Sequence, residues 1–444
     1  MSSSKFDIVV YGATGFTGQL VAEYLAAQYK GDANLKWAMA GRNKDKLATV
    51  RDAIGAPSDT PLIVADASDP ASLKAMVAQA KSVISTVGPY QLYGSELLAA
   101  CVADGVDYFD LCGEPVWMRQ MIDAHEATAK STGARIVFSA GFDSIPFELG
   151  VFYVQEEAKR VFGAAANRVK GRVRAMKGTF SGGTAASAKA SFAAAAKDLS
   201  LVAMFQNHFV LTPGFDGPKQ PRANKPMLDE DMGQWAAPFV MASINTRNVH
   251  RSNMLMNFPY GKDFVYDEMI LTGVGEQGEA NAKRVVAAVN AERMGAIDGP
   301  KPGEGPSKEE RENGFYDLLF VAIAPDGGQV RAVVKGDRDP GYGSTSKMIS
   351  ECAICLLRDT PKALGGIWTP GAAMGTRLIK RLVDNSAILN LSALLGHADE
   401  AVAKCAMTVL DTRSPHAAFK MSHWQVRLRA AAKSNAKLLH SPKQ

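Results

Sequence analysis

The chain has 444 residues, 47% hydrophobic and 21% charged, which is more than one ordinary domain and enough for a sizeable core. Five cysteines, an odd and sparse set, argue against a disulfide framework. The short polar Met1–Lys5 stretch reads as no secretory leader, and no apolar run reaches the roughly 20 residues of a membrane span, so a cytoplasmic setting is expected. The net charge of +5 is uneven: Thr412–Gln444 holds seven Lys or Arg and no acid, and without it 43 basic and 45 acidic residues leave a body of charge −2. A body without a basic patch argues against nucleic acid.

Phe6–Tyr11 is a short apolar run followed by Gly12-Ala13-Thr14-Gly15-Phe16-Thr17-Gly18 and an amphipathic stretch to Leu25. Strand, glycine turn and helix start in that order are the setting of a dinucleotide pyrophosphate site. Glycine admits close backbone approach, and the helix opens with unpaired N–H groups and the positive end of its dipole. The next run, Leu35–Ala40, ends in Gly41-Arg42-Asn43, with Lys46 one turn on. An NAD enzyme usually places an acid there for the ribose hydroxyls; Arg42 and Lys46 instead suit a 2′-phosphate. NADP(H) is therefore the expected cofactor.

Leu62–Ala65 ends at Asp66, expected near the adenine edge, and Ser82–Val87 leads into Gly88-Pro89-Tyr90, expected on the nicotinamide side. Val106–Leu111 and Ala134–Ser139 supply two more strands, with helices at Ser95–Asp104 and Val116–Thr132. This alternation predicts a Rossmann-type, doubly wound parallel sheet over residues 1–150, with ligands beyond the carboxyl ends of its strands. Gly141–Gly150 closes it and starts a helix, Ser144 or Asp143 being the N-cap candidates. The nicotinamide is expected between Tyr90 and the Gly141–Pro146 turn, which makes Tyr90 and Asp143 the catalytic candidates.

Residues 151–350 read as a second, α+β domain with a mainly antiparallel sheet. Arg168–Lys177 is a strand, Ser181-Gly182-Gly183-Thr184 opens an Ala-rich helix over Ala185–Met204, and Gln206–Trp235 is irregular. The Ser-Gly-Gly-Thr turn reads equally as an anion cradle or a plain cap. Phe315–Ala324 and Gln329–Val334 flank Pro325-Asp326-Gly327-Gly328 as a hairpin. Cys352 and Cys355 have CxxC spacing inside a helical run, Ser344–Leu357, with no second ligand pair, so no metal is expected. Residues 351–444 are expected to be helical and to return to the first domain. Within them Ala417–Leu439 can form a basic amphipathic helix. It either docks on its own body or offers a surface to an acidic partner, an acyl-carrier protein or an anionic membrane, the last giving peripheral membrane contact.

Taken together, YGATGFTG, AGR, STVGPY, DYFDLCGE, GFDSIP, SGGT, GDRDPGYGSTSKM and GGIWTPGAAMG resemble the saccharopine dehydrogenase-like oxidoreductases over roughly residues 5–380. Within them the chain looks most similar to the bacterial branch of the trans-acting enoyl reductases. The resemblance implies cofactor contacts from Gly12, Thr14, Gly15, Phe16, Thr17, Gly18, Arg42 and Gly88, and substrate and homodimer contacts from the second domain. The expected activity is NADPH-dependent reduction of a C=C or C=O in a small-molecule or carrier-bound acyl or lipid-like substrate. The alternatives are a saccharopine-type dehydrogenase acting on a C–N bond and an NADPH-binding scaffold without turnover. A polycarboxylate substrate would call for clustered cations, for which Arg247, Arg251, Arg338 and Lys347 are candidates. None of the eleven tyrosines has Lys four residues on, so a Tyr-x-x-x-Lys proton donor is not expected, and Tyr342 and Lys347 are one residue too far apart.

Overall fold

Seven strands form the first sheet: β1 (Phe6–Tyr11), β2 (Trp37–Gly41), β3 (Leu62–Val64), β4 (Ala80–Ser85), β5 (Asp107–Phe109), β6 (Arg135–Val137) and β13 (Gly366–Trp368). They come from a computed structural model that describes residues 4–179, 181–198, 200–293, 301, 303–385 and 390–395. All pairs are parallel, in the order β13-β6-β5-β4-β1-β2-β3. Alternate side chains feed two apolar layers: Ile8, Val10 and Ile84 enter one, Val9, Tyr11 and Val83 the other. A parallel sheet needs both faces covered. The cover comes from α1 (Phe16–Gln28), α2 (Lys44–Ala53), α3 (Pro70–Val77), the single turn α4 (Tyr90–Tyr93), α5 (Ser95–Asp104) and α6 (Pro115–Thr132), with later helices completing it. Asn43 and Asp69 cap α2 and α3 through their side chains, and left-handed Gly105 and Gly133 end α5 and α6.

Helix α7 (Ile145–Phe162) leads to the second sheet, β7 (Arg168–Lys177), β8 (Met227–Asp229), β9 (Gln234–Pro238), β10 (Val265–Gly273), β11 (Phe315–Ile323) and β12 (Gln329–Gly336). Its order is β12-β11-β7-β10-β9-β8; every pair is antiparallel except β7 with β10. Glycine lets α7 lie close on this sheet, because a Cβ at Gly150 would come within 2.2 Å of the Phe320 ring. The remaining helices are α8 (Gly182–Lys197), α9 (Ser200–Gln206), α10 (Ala242–Leu255), α11 (Gly275–Arg293), α12 (Lys308–Glu312), α13 (Thr345–Ile354) and α14 (Pro370–Asp384). A further strand covers 390–395. Residues 1–393 form one compact unit; the other, 394–444, holds the basic stretch Thr412–Gln444 and the helix expected at Ala417–Leu439, both outside the described residues.

Several boundaries differ from the sequence expectation. The Ala-rich helix is two, α8 and α9, broken at Asp198, whose backbone is extended. The irregular stretch after Gln206 contains β8. The two strands expected over Val106–Leu111 and Ala134–Ser139 are only three residues each, because Asp110 draws both strand ends together. Its carboxylate accepts from the N–H groups of Cys112 and Ser139, each at 3.0 Å. Ser139 is thereby held at φ +54°, which ends β6 and starts the loop to Asp143. Ser144 sits at the N-cap of α7 without capping it; its hydroxyl accepts from Asn248 Nδ2 at 2.8 Å.

Candidate functional site

The turn between β1 and α1 uses its three glycines differently. Gly12 has φ +87°, and a Cβ there would stand 2.7 Å from Thr86 Oγ1 and Val87 Cγ2. The clash is thus with the end of β4, whereas the sequence reading placed it at the pyrophosphate. Gly15 is exposed, and an added Cβ would have only the Gly12 carbonyl near it, at 3.3 Å, so this is the open position for backbone approach. At Gly18 a Cβ would fall 2.1 Å from that same carbonyl, so α1 can sit against the turn only with glycine. Gly12 and buried Ala13 donate to Ala40 O at 3.0 and 3.1 Å, tying the turn to β2, and Thr14 O accepts from Gln19 Nε2 at 3.0 Å. Gly15 occupies the N-cap with no side chain to cap, and the first turn of α1 carries no acid. Uncapped N–H groups and an open glycine fit a dinucleotide pyrophosphate.

Arg42 follows β2 and is exposed; among the described residues its guanidinium makes no hydrogen bond or ion pair. Lys46 is exposed in the first turn of α2, its N–H held by Asn43 Oδ1 at 2.9 Å. Asp66, past the end of β3, accepts from the Ser68 N–H and hydroxyl at 2.9 and 2.8 Å; those bonds hold its carboxyl below the usual range, with a smaller contribution from Arg42. Its neighbouring Arg42 thus remains open to a phosphate. Arg42→Ala is expected to weaken NADPH about tenfold to a hundredfold while leaving NADH almost unchanged, as a lost charge-assisted contact would. Calorimetric titration of both nucleotides checks it, and equal losses for the two would reject a 2′-phosphate contact.

Past β4, Gly88 and Pro89 are joined by a cis peptide, and Tyr90 begins α4. Buried Glu114 fixes this turn by accepting from the N–H groups of Tyr90 and Gln91, each at 2.9 Å. The Tyr90 hydroxyl donates to Ser85 O and accepts from Leu111 N, both at 3.1 Å, and burial pushes its pKa well up. It is committed to backbone and serves the wall of the site, not proton transfer. Beyond it lies a cavity of about 630 Å3 lined by Thr17, Thr86, Gly88, Tyr90, Leu111, Glu114, Phe142, Asp143, Ser187, Ser191, Val202, Phe205, Gln206, Met241, Arg247, Tyr342 and Thr345, among others. It joins the expected nicotinamide side of the first sheet to α8, α9 and α10, and its wall is mostly apolar.

Asp143 stands apart in this wall. Partly open to the cavity, it has no hydrogen bond or ion pair among the described residues, and burial alone pushes its carboxyl up to about 7. The other lining carboxylate, Glu114, is occupied by the two N–H groups. The loop that carries Asp143 is held from three sides. Asp110 grips Ser139 and accepts Ala140 N on its backbone carbonyl at 2.7 Å, the Ser139 hydroxyl donates to Cys112 O at 2.6 Å, and Phe142 N donates to Thr345 Oγ1 at 3.0 Å. Tyr342 is in turn placed by buried Asp339, which accepts from Tyr342 N at 3.0 Å and Gly343 N at 2.7 Å, and the Thr345 hydroxyl donates to Pro340 O at 3.0 Å. Asp110, Glu114, Ser139 and Asp339 were not singled out by sequence; acids immediately after β5 and in GDRDPGYG were the available signal. Two serines one turn apart on α8, Ser187 and Ser191, likewise reached the cavity without notice.

Of the four candidate cations only Arg247 reaches the cavity. Arg247 lines the cavity; Arg251 donates to Leu211 O and Ile367 O and faces Glu126 at 3.4 Å; Arg338 faces Glu312 at 3.6 Å and Lys347 faces Asp337 at 3.9 Å. The Tyr342 hydroxyl accepts from Ser181 N, and its ring meets Phe16 edge-on at 5.1 Å. Cys352 and Cys355 are buried, with burial raising both thiols. Among the described residues no group of three His, Cys, Asp or Glu converges to hold a metal, and no helix is long and apolar enough to cross a membrane.

Residues 8–137 match the family model described as the saccharopine dehydrogenase NADP binding domain. A Mycobacterium tuberculosis protein whose name places it among the trans-acting enoyl reductases is 40% identical over 403 residues, 85% of this chain and 95% of its own. A trans-acting enoyl reductase of Mycobacterium ulcerans is 35% identical over 421 residues, 89% of this chain and all of its own. Among solved structures, the saccharopine dehydrogenase (L-Glu forming) of Saccharomyces cerevisiae superposes with a TM-score of 0.50 at 11% identity, covering 88% of this chain and 100% of its own.

Proposed function

Because the chain belongs to the saccharopine dehydrogenase-like oxidoreductases, in the branch of the trans-acting enoyl reductases, and is an NADPH-dependent oxidoreductase, we propose that it reduces an activated C=C or C=O of an acyl substrate held in the cavity beside Asp143. The single observation that carries the reading is Asp143, a carboxyl without partners among the described residues in a mostly apolar wall, its burial pushing its pKa up to about 7. A carboxylic acid kept neutral by burial is suited to give a proton to a carbon or oxygen that gains negative charge.

In this proposal the Gly12–Gly18 turn holds the pyrophosphate, Arg42 and Lys46 take the 2′-phosphate, Asp66 borders the adenine, and Gly88, Pro89 and Tyr90 border the nicotinamide. When bound, NADPH supplies a hydride. Asp143 supplies the proton that completes the two-electron reduction and is reprotonated from solvent. Tyr90, Leu111, Phe142 and Phe205 keep water from the reacting carbon and match an acyl chain. That Arg247 alone of the four candidate cations lines the cavity argues against a saccharopine-type polycarboxylate substrate. The same reading extends to a cytoplasmic homodimer that meets a carrier-bound acyl group or an anionic surface through the basic stretch Thr412–Gln444.

The test is turnover. The full chain with NADPH is expected to convert a trans-2-enoyl or 3-oxoacyl N-acetylcysteamine thioester to the reduced thioester, seen by mass spectrometry with matching NADPH loss. Tight NADPH binding with no reduction of either would leave a nucleotide-binding scaffold instead.

A further inference from the structure

Three arginines are buried among the described residues, Arg172, Arg247 and Arg251. A buried charge is costly unless something of opposite sign faces it. Arg172 is faced by Asp229 at 2.6 Å and Asp267 at 2.9 Å, and Arg251 by Glu126 at 3.4 Å. Among the described residues no carboxylate pairs with Arg247. Its two terminal nitrogens donate only to the carbonyls of Ser243 and Phe205, and its Nε is buried without a partner. Burial draws its pKa down to about 10, so it stays charged at neutral pH.

Among the described residues its polar neighbours are neutral. His250, one turn along α10, and His208, just past α9, are kept neutral mainly by burial, with the Arg247 charge adding to the effect. His208 Nδ1 and His250 Nε2 are themselves buried without partners. The open side of Arg247 is the cavity, where Gln206 and Ser243 lie with it. A full positive charge thus stands at the wall of a mostly apolar cavity with no anion facing it among the described residues.

We propose that Arg247 is an oxyanion subsite of this cavity and selects acyl substrates that carry a carboxylate or a phosphate in addition to the reacting group. The inference rests on the reading of the cavity as an acyl site. It assigns substrate selection to α10, whereas the chemistry lies at Asp143 in the loop after β6.

The experiment is calorimetric titration of the NADPH-saturated full chain with three saturated probes, which cannot be reduced. They are octanoyl N-acetylcysteamine thioester, its ω-carboxylated counterpart, and octanoyl-coenzyme A. One anionic probe is expected to bind about tenfold or more tighter than the neutral one, as a charge-assisted contact in a desolvated site would give. Which anionic probe gains tells carboxylate from phosphate. Arg247→Gln is expected to bring the anionic-to-neutral ratio to about one, and Arg247→Lys to keep part of it. Equal binding of all three probes to the native protein overturns the inference, as does a preference that survives in Arg247→Gln. Should the glutamine variant fail to fold, the native comparison decides alone. A preference without turnover of enoyl or 3-oxoacyl thioesters would reject the reductase reading and keep the subsite, whereas binding of no probe would reject both.

Discussion

Asp143→Asn is expected to lower kcat for enoyl thioester reduction by about 10²–10⁴, the usual contribution of a positioned proton donor. NADPH affinity should hold within about twofold, because asparagine keeps the shape of the side chain and the pyrophosphate and 2′-phosphate contacts lie on other loops. The pH profile supplies the sharper test. With its carboxyl at about 7, native kcat should be level below neutrality and fall about tenfold per pH unit above it, as the acid ionises. The asparagine variant should lose that limb. Stability gives an independent check on the cause. A folded-state pKa above the ordinary carboxyl value of about 3.9 means stability is fully present below that pH and is lost as pH rises through 7. At pH 8 the variant should therefore melt no lower than the native protein. A variant that keeps native kcat, or that loses activity only through unfolding, would remove Asp143 from the chemistry.

The second large effect is expected at Gly12. Valine there must adopt φ +87° and drive its Cβ to within 2.7 Å of both Thr86 and Val87. The left-handed backbone costs a non-glycine residue about 1–2 kcal/mol, and the contact has to be relieved by moving the turn away from β4. Because Gly12 N–H is tied to Ala40 O and Gly12 O to Gly15 N, that movement misplaces the opening of α1 as a whole. Gly12→Val should show no measurable NADPH binding by fluorescence titration, and Gly12→Ala a loss of about tenfold or more, with circular dichroism unchanged in both. Native affinity in the alanine variant would mean that the turn tolerates the shift and that the pyrophosphate lies elsewhere.

Much of the first sheet was legible because its signals are local. Strand runs such as Phe6–Tyr11 and Ser82–Val87 are apolar, and the glycine turn and Arg42 lie within a few residues of the strands that position them. The hairpin at Pro325–Gly328 is equally local, and β11 pairs with β12 where expected. What could not be read depends on distant partners. Nothing near Asp110 indicates that it would stop β6 by holding Ser139, 29 residues on. The break of the Ala-rich helix at Asp198 defies a composition that favours helix throughout. In the cavity, Tyr90 and Asp143 do face the same space, but their roles separate only through contacts from elsewhere. Ser85 and Leu111 occupy the tyrosine hydroxyl, whereas among the described residues no side chain or backbone group bonds the aspartate. Arg247 was visible only as one charge among four until its place in the cavity wall, with no carboxylate facing it among the described residues, set it apart from the equally buried Arg251.

The outer strand β13 has a consequence for how the molecule is made. It is spelled by residues 366–368, yet it lies beside β6, whose own residues are 135–137. A ribosome therefore delivers β7 to β12 of the second sheet before the first can close. Until then β6 is a bare edge with unpaired N–H and C=O groups, the kind of edge that invites pairing with another chain. Arg135 at that edge is bound to Asp107 and also donates to Leu356 O and Thr360 O, carbonyls that arrive equally late. The nucleotide half is thus begun first and finished last. A fragment cut at its apparent end near residue 150 would carry the fingerprint turn without the strand that seals the sheet, and its partner in solution would be another copy of the same unsealed edge.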